Sequence, residues 1–293
     1  MIGRLKGEGL SLWRLATMDP AEAGIWLRSR IAERSNRRKS RFQHSPYLVT
    51  DDWERRLHES LGVPWPCPVT QEFWALWAEV LRPFELSHIH LGRGAFDGWG
   101  DGEPALTRAA WCLVHHLKPT HVVETGVARG FTSRMILEAL ERNRAGRLCS
   151  IDLPPLLRTE LHSQIGASVP NDLRHRWSYI KGLSRRHLPR LLAELGQIDL
   201  FVHDSEHTEY NTTFELERAW FALRPGGFVI VDDIDYNWSF YAFMQKNPGH
   251  QFFICHGEPL EPDPIRFDAK GLIGIARKDE KLVSTEMAIR GRR

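Results

Sequence analysis

Cysteine is scarce in these 293 residues: Cys67, Cys112, Cys149 and Cys255 stand far apart, with no CxxC pair among them. Such scattering provides no disulfide framework and reads as reduced thiols in a cytoplasmic protein. No apolar run approaches the roughly 20 residues that span a bilayer, and the N-terminal stretch lacks the apolar core of a signal peptide. Charge of one sign is also missing. Lys and Arg number 39 against 37 Asp and Glu, for a net +2. That balance argues against a dedicated nucleic-acid binder, so no nucleic-acid partner is expected. Three nucleotide and metal signatures are absent as well. No Lys-Ser/Thr pair follows the glycines of Gly126 to Gly130, which excludes a phosphate loop. GxGxxG fails because Ala128 and Phe131 occupy its second and third glycine positions. HExxH does not occur, and His203-x₃-His207 makes a poor zinc pair because His203 ends a strand.

What is present is an ordinary apolar fraction of 42%, enough for a sizeable core. The length suits one α/β domain with an N-terminal extension. Residues 1–102 read as a mostly helical extension closed by a glycine-rich connector, and 103–293 as the main domain. Asp19-Pro20-Ala21-Glu22 has the form of a helix start, with Ile25, Trp26 and Ile31 as a modest apolar stripe behind it. The helix then enters a basic run containing Arg28, Arg30, Arg34, Arg37, Arg38, Lys39 and Arg41. A solvated helix end is favoured there over a contact for an anionic partner. After the rigid Pro64–Pro68 connector, Thr70 is placed as a helix cap. Phe73, Trp74, Trp77, Val80 and Leu81 follow at helical spacing and suit packing on the main domain or on a second subunit. His88 and His90 alternate as in a strand. Leu91–Gly102 is dense in glycine and reads as a lid carrying Phe96 and Trp99, or as a plain connector.

From Glu103 onward strands and helices alternate, predicting a parallel sheet covered on both faces. Its centre is His121 to Leu140: a buried strand, a turn of small residues, then a helix with Met135, Ile136, Leu137 and Leu140 on one side. This places backbone N–H groups and a helix start at the carboxyl end of a strand, where open α/β sheets bind ligands. A second strand ends at Asp152, where a carboxylate can accept both hydroxyls of a ribose. Later strands are expected at 177–181, 197–203, 228–231, 252–255 and 272–276. The fourth ends in His203-Asp204 and the fifth in Asp232-Asp233. Parallel neighbours ending at one edge should bring these carboxylates together with Glu124, an arrangement that is costly without protons or a cation. Oxygen ligands without thiolates favour Mg²⁺ or another hard divalent ion.

Glu124, Gly126, Ala128 and Gly130 together resemble the first motif of class I S-adenosylmethionine-dependent methyltransferases. Asp204 with the Asp232-Asp233 pair, and the phrases DSEHTEYNTTFELERAW and LRPGGFVIVDD, resemble the metal-dependent O-methyltransferases of the macrocin and catechol type. The resemblance covers roughly residues 103 to 277. It implies a Rossmann-like, seven-stranded, mostly parallel sheet with an antiparallel edge. It further implies that Glu124, Gly126, Ala128, Gly130, Thr132 and Ser133, with Asp152, Ser184 and Asp204, hold S-adenosylmethionine. Asp204, Asp232 and Asp233 would hold the metal. His207, where catechol-type relatives carry a lysine, would be the catalytic base, its ordinary pKa near 6.5 suiting the task. The chain departs from the group at Ala128 and at Ser205-Glu206, where Asp-Gly-Asp is common. The expected reaction is O-methylation of a small hydroxylated acceptor, with a sugar of a natural product as one candidate and a homo-oligomer as an open assembly. The alternatives are a non-catalytic member of the fold or a hydroxylase of the same sheet type, for which no redox-metal triad is visible.

Overall fold

Along each central strand, successive side chains enter opposite cores. Val122, Leu148, Leu200, Val202, Phe228, Ile230, Ile273 and Ile275 pack on one side of the sheet. Val123, Cys149, Phe201, Val229, Val231 and Ala276 pack on the other. Such double burial produces continuous apolar strands and requires helices on both faces. The computed structural model describes residues 2–40, 46–92, 94–258, 260 and 271–279. Its strands are β1 (His121–Thr125), β2 (Arg147–Asp152), β3 (Trp177–Lys181), β4 (Ile198–His203), β5 (Leu223–Val231), β6 (Gln251–His256) and β7 (Leu272–Arg277). They form one seven-stranded sheet in the order β3-β2-β1-β4-β5-β7-β6. β1 to β5 are parallel, whereas β7 runs antiparallel between β5 and β6. The connection between β6 and β7 lies mostly outside the described residues.

The helices preceding β1 are α1 (Ile2–Met18), α2 (Pro20–Ser40), α3 (Trp53–Leu61), α4 (Pro68–Leu86) and α5 (Pro104–Leu117). After it come α6 (Phe131–Asn143), α7 (Ser184–Leu195), α8 (Glu209–Ala222) and α9 (Ser239–Lys246). α4, α5 and α6 fill the first face, and α7, α8 and α9 the second. Within α6, Met135, Ile136, Leu137 and Leu140 are fully buried, as the sequence pattern predicts. Phe73, Trp77, Val80, Leu81 and Phe84 of α4 join the same core, so this segment is integral to it. Trp74 alone of the predicted stripe faces outward.

Three local expectations are corrected. Thr70 does not cap α4. The helix begins two residues earlier at Pro68, whose fixed φ and missing N–H suit a first position, and Cys67 is the cap. His88 and His90 form no strand, because His88 takes a left-handed turn (φ 52°) just after α4 ends. Ile31 is exposed, and Leu15 and Ala23 take its place beside Trp26 in the apolar stripe. Asp19 does cap α2, its Oδ1 accepting from the N–H of Ala21 and Glu22 at 3.0 and 3.2 Å. Of the basic run, Arg41 and the side chains of Arg37, Arg38 and Lys39 lie outside what is described.

α1 and α2 do not stand apart from the sheet. Trp26, Leu15 and Ala23 pack on Leu153, Leu156 and Leu183, in the loops after β2 and β3. Arg14 donates to the Leu156 carbonyl at 2.6 Å, and the Glu22 carboxylate accepts from Leu183 N–H at 3.0 Å. Ser29 donates to Glu206 at 2.9 Å, beyond the end of β4. These contacts lay the first two helices across the carboxyl edge of the sheet.

Candidate active site

The carboxyl edge encloses a cavity of about 1330 Å³. Single small ligands occupy roughly 300–1,000 Å³, so this volume has room for a cofactor and an acceptor together. Its floor is the ends of β1, β2, β4 and β5. Its roof includes Ile25, Trp26, Ser29 and Arg30 of α2, and one side is the glycine-dense loop with Phe96 and Trp99.

Gly126 follows β1 in a left-handed conformation (φ 87°), and a Cβ there would sit 1.9 Å from the Asp204 carbonyl oxygen. Only glycine lets the turn pass beneath the chain leaving β4. Asp204 N–H in turn donates to the Thr125 carbonyl at 2.8 Å. Ala128, where the glycine pattern weakens, still adopts a left-handed φ of 46°. Its N–H donates to the Asp152 carboxylate at 3.3 Å. Burial pushes Asp152 up to about 6, opposed by the N–H groups of Ala128, Val127 and Leu153.

Gly126, Ala128, Asp152, Ser184 and Asp204 all line the cavity. The other predicted cofactor residues, Glu124, Gly130, Thr132 and Ser133, are outside its lining. Glu124 is buried and accepts from the Ser133 and Ser150 hydroxyls, each at 2.6 Å. Burial raises it to about 7 despite those two donors. Thr132 shares a hydroxyl contact with Thr107 at 3.1 Å. These residues support the turn from behind.

Asp204, His207 and Asp232 each bring one ligand-capable atom within 4.8 Å of the others. His207 Nε2 is 3.7 Å from Asp204 Oδ1, and its ring lies between Trp99 and Tyr236. Asp233 lines the same cavity but does not join that compact group. Its backbone turns left-handed (φ 49°). Burial, then the charge of Asp233, raises Asp204 well above the usual carboxylate range, and the same two causes raise Asp232. His203 does not line the cavity: its ring stacks edge-on to that of His207 at 5.5 Å, and its Nδ1 meets Glu215 at 2.6 Å.

Two residues that sequence reasoning missed hold this arrangement. Glu215, buried on α8, accepts from Thr125 at 2.5 Å, Ser205 at 2.9 Å and Asn211 at 2.8 Å. Burial alone would raise it, but the His203 ring and surrounding donors bring it down to about 2. Arg129, in the turn after β1, forms a buried ion pair with Asp101. It also donates to the carbonyls of His90 at 3.2 Å and Ala95 at 3.0 Å. The glycine-dense loop is therefore pinned to the sheet. Neither residue has a local sequence signal, because the partners of Arg129 (His90, Ala95, Asp101 and Gln164) all lie in other elements.

Residues 123–234, from mid-β1 past the end of β5, match the protein family described as "Methyltransferase domain". This stretch of the chain is thus similar to a methyltransferase domain. No curated protein matches it in sequence. Among solved structures it is similar to an O-methyltransferase from Bacillus cereus in complex with SAH, with 16% identity and a TM-score of 0.48, covering 77% of this chain and 98% of that one. It is similar also to TomG, an O-methyltransferase of Streptomyces achromogenes involved in tomaymycin synthesis, with 14% identity and a TM-score of 0.46, covering 85% and 98%. At that distance neither assigns a role to any residue of this chain. No described helix is long and apolar enough to cross a membrane.

Proposed function

We propose that this methyltransferase domain moves a methyl group from S-adenosylmethionine to a hydroxyl of a small molecule, aided by a divalent cation. The observation that carries the reading is the meeting of Asp204, Asp232 and His207 within 4.8 Å, in the cavity that Gly126 and Asp152 also line.

The residues present fit both groups. Gly126 offers bare backbone to a ligand, and Asp152 offers a carboxylate at the strand end where a ribose would lie. The neighbouring carboxylates Asp204 and Asp232 are driven toward protonation by burial and by Asp233. A hard dication relieves that repulsion, and an oxygen-rich donor set favours Mg²⁺. Asp204 and Asp232 would hold it, with Asp233 at the rim. When bound, S-adenosylmethionine supplies a methyl on a positively charged sulfur, open to in-line displacement. The cation, when bound, lowers the pKa of an acceptor hydroxyl.

The chain's own part follows from position. His207 Nε2 takes the acceptor's proton, and Asp204 at 3.7 Å favours the imidazolium that results. As the oxygen–methyl bond forms, the sulfur–methyl bond breaks and its electron pair returns to sulfur. Trp26, Trp99 and Tyr236 offer flat apolar surfaces around the cavity, suited to a sugar or aromatic ring. Asp152, Ser184 and the Gly126–Ala128 turn orient the donor, and Glu124, Gly130, Thr132 and Ser133 keep that turn in place.

The test uses purified full-length protein, methyl-labelled S-adenosylmethionine and a panel of catechols and glycosylated acceptors. Label should reach an acceptor oxygen and fall at least ~10²-fold in His207→Gln, the usual size of a general-base effect. Asp232→Asn should abolish the response to added Mg²⁺. Transfer that survives exhaustive chelation would remove the cation from the reading. Absence of S-adenosylmethionine binding by calorimetry would remove the reading itself.

A further inference from the structure

Away from the cavity, three residues distant in sequence meet where α3, the start of α4 and the end of α5 come together. His58 in the last turn of α3 is fully buried, and Cys67, the cap of α4, is nearly so. His116 in the last turn of α5 is half-buried. One ligand-capable atom of each lies within 4.8 Å of the other two. Cys67 Sγ and His116 Nε2 are 3.3 Å apart. Around tetrahedral zinc, with bonds of about 2.3 Å to sulfur and about 2.0–2.1 Å to nitrogen, such ligands sit roughly 3.5 Å from each other. The pair already has that spacing.

A second observation points to a ligand. His58 Nδ1 lies 2.7 Å from the Glu54 carbonyl oxygen. A carbonyl only accepts, so Nδ1 carries the hydrogen and the neutral ring keeps its lone pair on Nε2. That Nε2 is buried and has no hydrogen-bond partner. An acceptor left so in a core is destabilising. A ring fixed through one nitrogen by a backbone carbonyl, with the other nitrogen bare, is how metal-binding histidines are oriented. The Trp65 ring packs on His58 at 4.9 Å and shields it.

We propose that His58, Cys67 and His116 bind one zinc ion, in a structural site separate from the methyl-transfer cavity. A thiolate with two imidazoles selects a borderline-soft ion over Mg²⁺ or Ca²⁺. On binding, Cys67 releases its thiol proton to solvent and the sulfur donates a lone pair to the metal, with no change of oxidation state. The ion ties α3 and the α3–α4 connector to α5, the helix that leads into β1.

The experiment strips full-length protein of metal with a chelator and titrates it with Co²⁺. A near-ultraviolet thiolate-to-cobalt charge-transfer band should grow to one equivalent and vanish on adding one equivalent of Zn²⁺. It should be lost in Cys67→Ala and reduced in His58→Ala, both checked for folding by circular dichroism. The band should persist in Asp204→Asn/Asp232→Asn, which separates this site from the cavity. Zn²⁺ should also raise the melting temperature of the stripped protein by several degrees, and not that of Cys67→Ala. No band on folded wild-type protein overturns the proposal, whatever the variants do. So does a band that survives Cys67→Ala or disappears only when Asp204 and Asp232 are changed.

Discussion

Glu124 shows how much of a site's character sits in one side chain. Buried under the turn and raised from 4.5 to about 7, it binds more protons in the folded chain than in the unfolded one between those values. Unfolding then releases protons, so its contribution to stability declines as pH rises from about 4.5 to about 7. The loss is on the order of 3 kcal/mol, at about 1.4 kcal/mol per pKa unit. Glu124→Gln keeps an oxygen for Ser133 and Ser150 but cannot ionise. In urea denaturation at pH 5 and pH 8, the variant should gain on the wild type by that amount at the higher pH. Equal gaps at both pH values would show that Glu124 is not the group responsible. Sequence alone makes the acidic end of β1 visible. It does not reveal that two serines occupy the carboxylate, since Ser133 and Ser150 come from different elements.

At the scale of elements, continuous apolar runs made β1, β2, β4 and β5 legible, because doubly covered strands leave nothing else for such runs to do; the edge strand β3 is largely exposed and carries a weaker signal. The small-residue turn and the acids ending β2, β4 and β5 were legible for the same reason: strand ends are where polar residues first become affordable. Thr70 and the His88–His90 pair were misread because local pattern competes with long-range packing. Pro68 starts its helix early, and the backbone after Leu86 turns left-handed. The glycine-dense loop was legible as irregular, yet its rigidity was not, for it depends on Arg129. Breaking a buried ion pair costs about 3–5 kcal/mol. Arg129→Ala should therefore destabilise the protein by an amount in that range. It should also speed proteolysis within residues 91–102 while cleavage elsewhere in the folded chain is unchanged. Loop cleavage at the wild-type rate would show that Phe96 and the backbone alone hold it.

For the whole molecule, the division into extension and main domain reads differently once α1 and α2 are seen across the cavity. α3 and α4 belong to the core, whereas α1 and α2 reach it mainly through Trp26, Leu15 and polar contacts to the loops after β2, β3 and β4. Deleting residues 1–40 should leave the seven-stranded core folded, with a melting temperature within several degrees of the full chain. It should weaken S-adenosylhomocysteine binding by calorimetry ~10-fold or more, because a roofless cleft buries less of a ligand. Undiminished affinity would show that the first two helices serve the acceptor side alone.

The seam between Gly126 and the Asp204 carbonyl fuses two halves of the machinery. In the proposed reading one loop would cradle the donor and the other present the reactive edge, and with no atom's width to spare neither can shift without carrying its neighbour. The wall contributed by α2 is under no such constraint, whereas the glycine-dense loop is tied to the turn by Arg129. A lineage built on this plan can exchange the molecules it accepts while the point of delivery stays fixed.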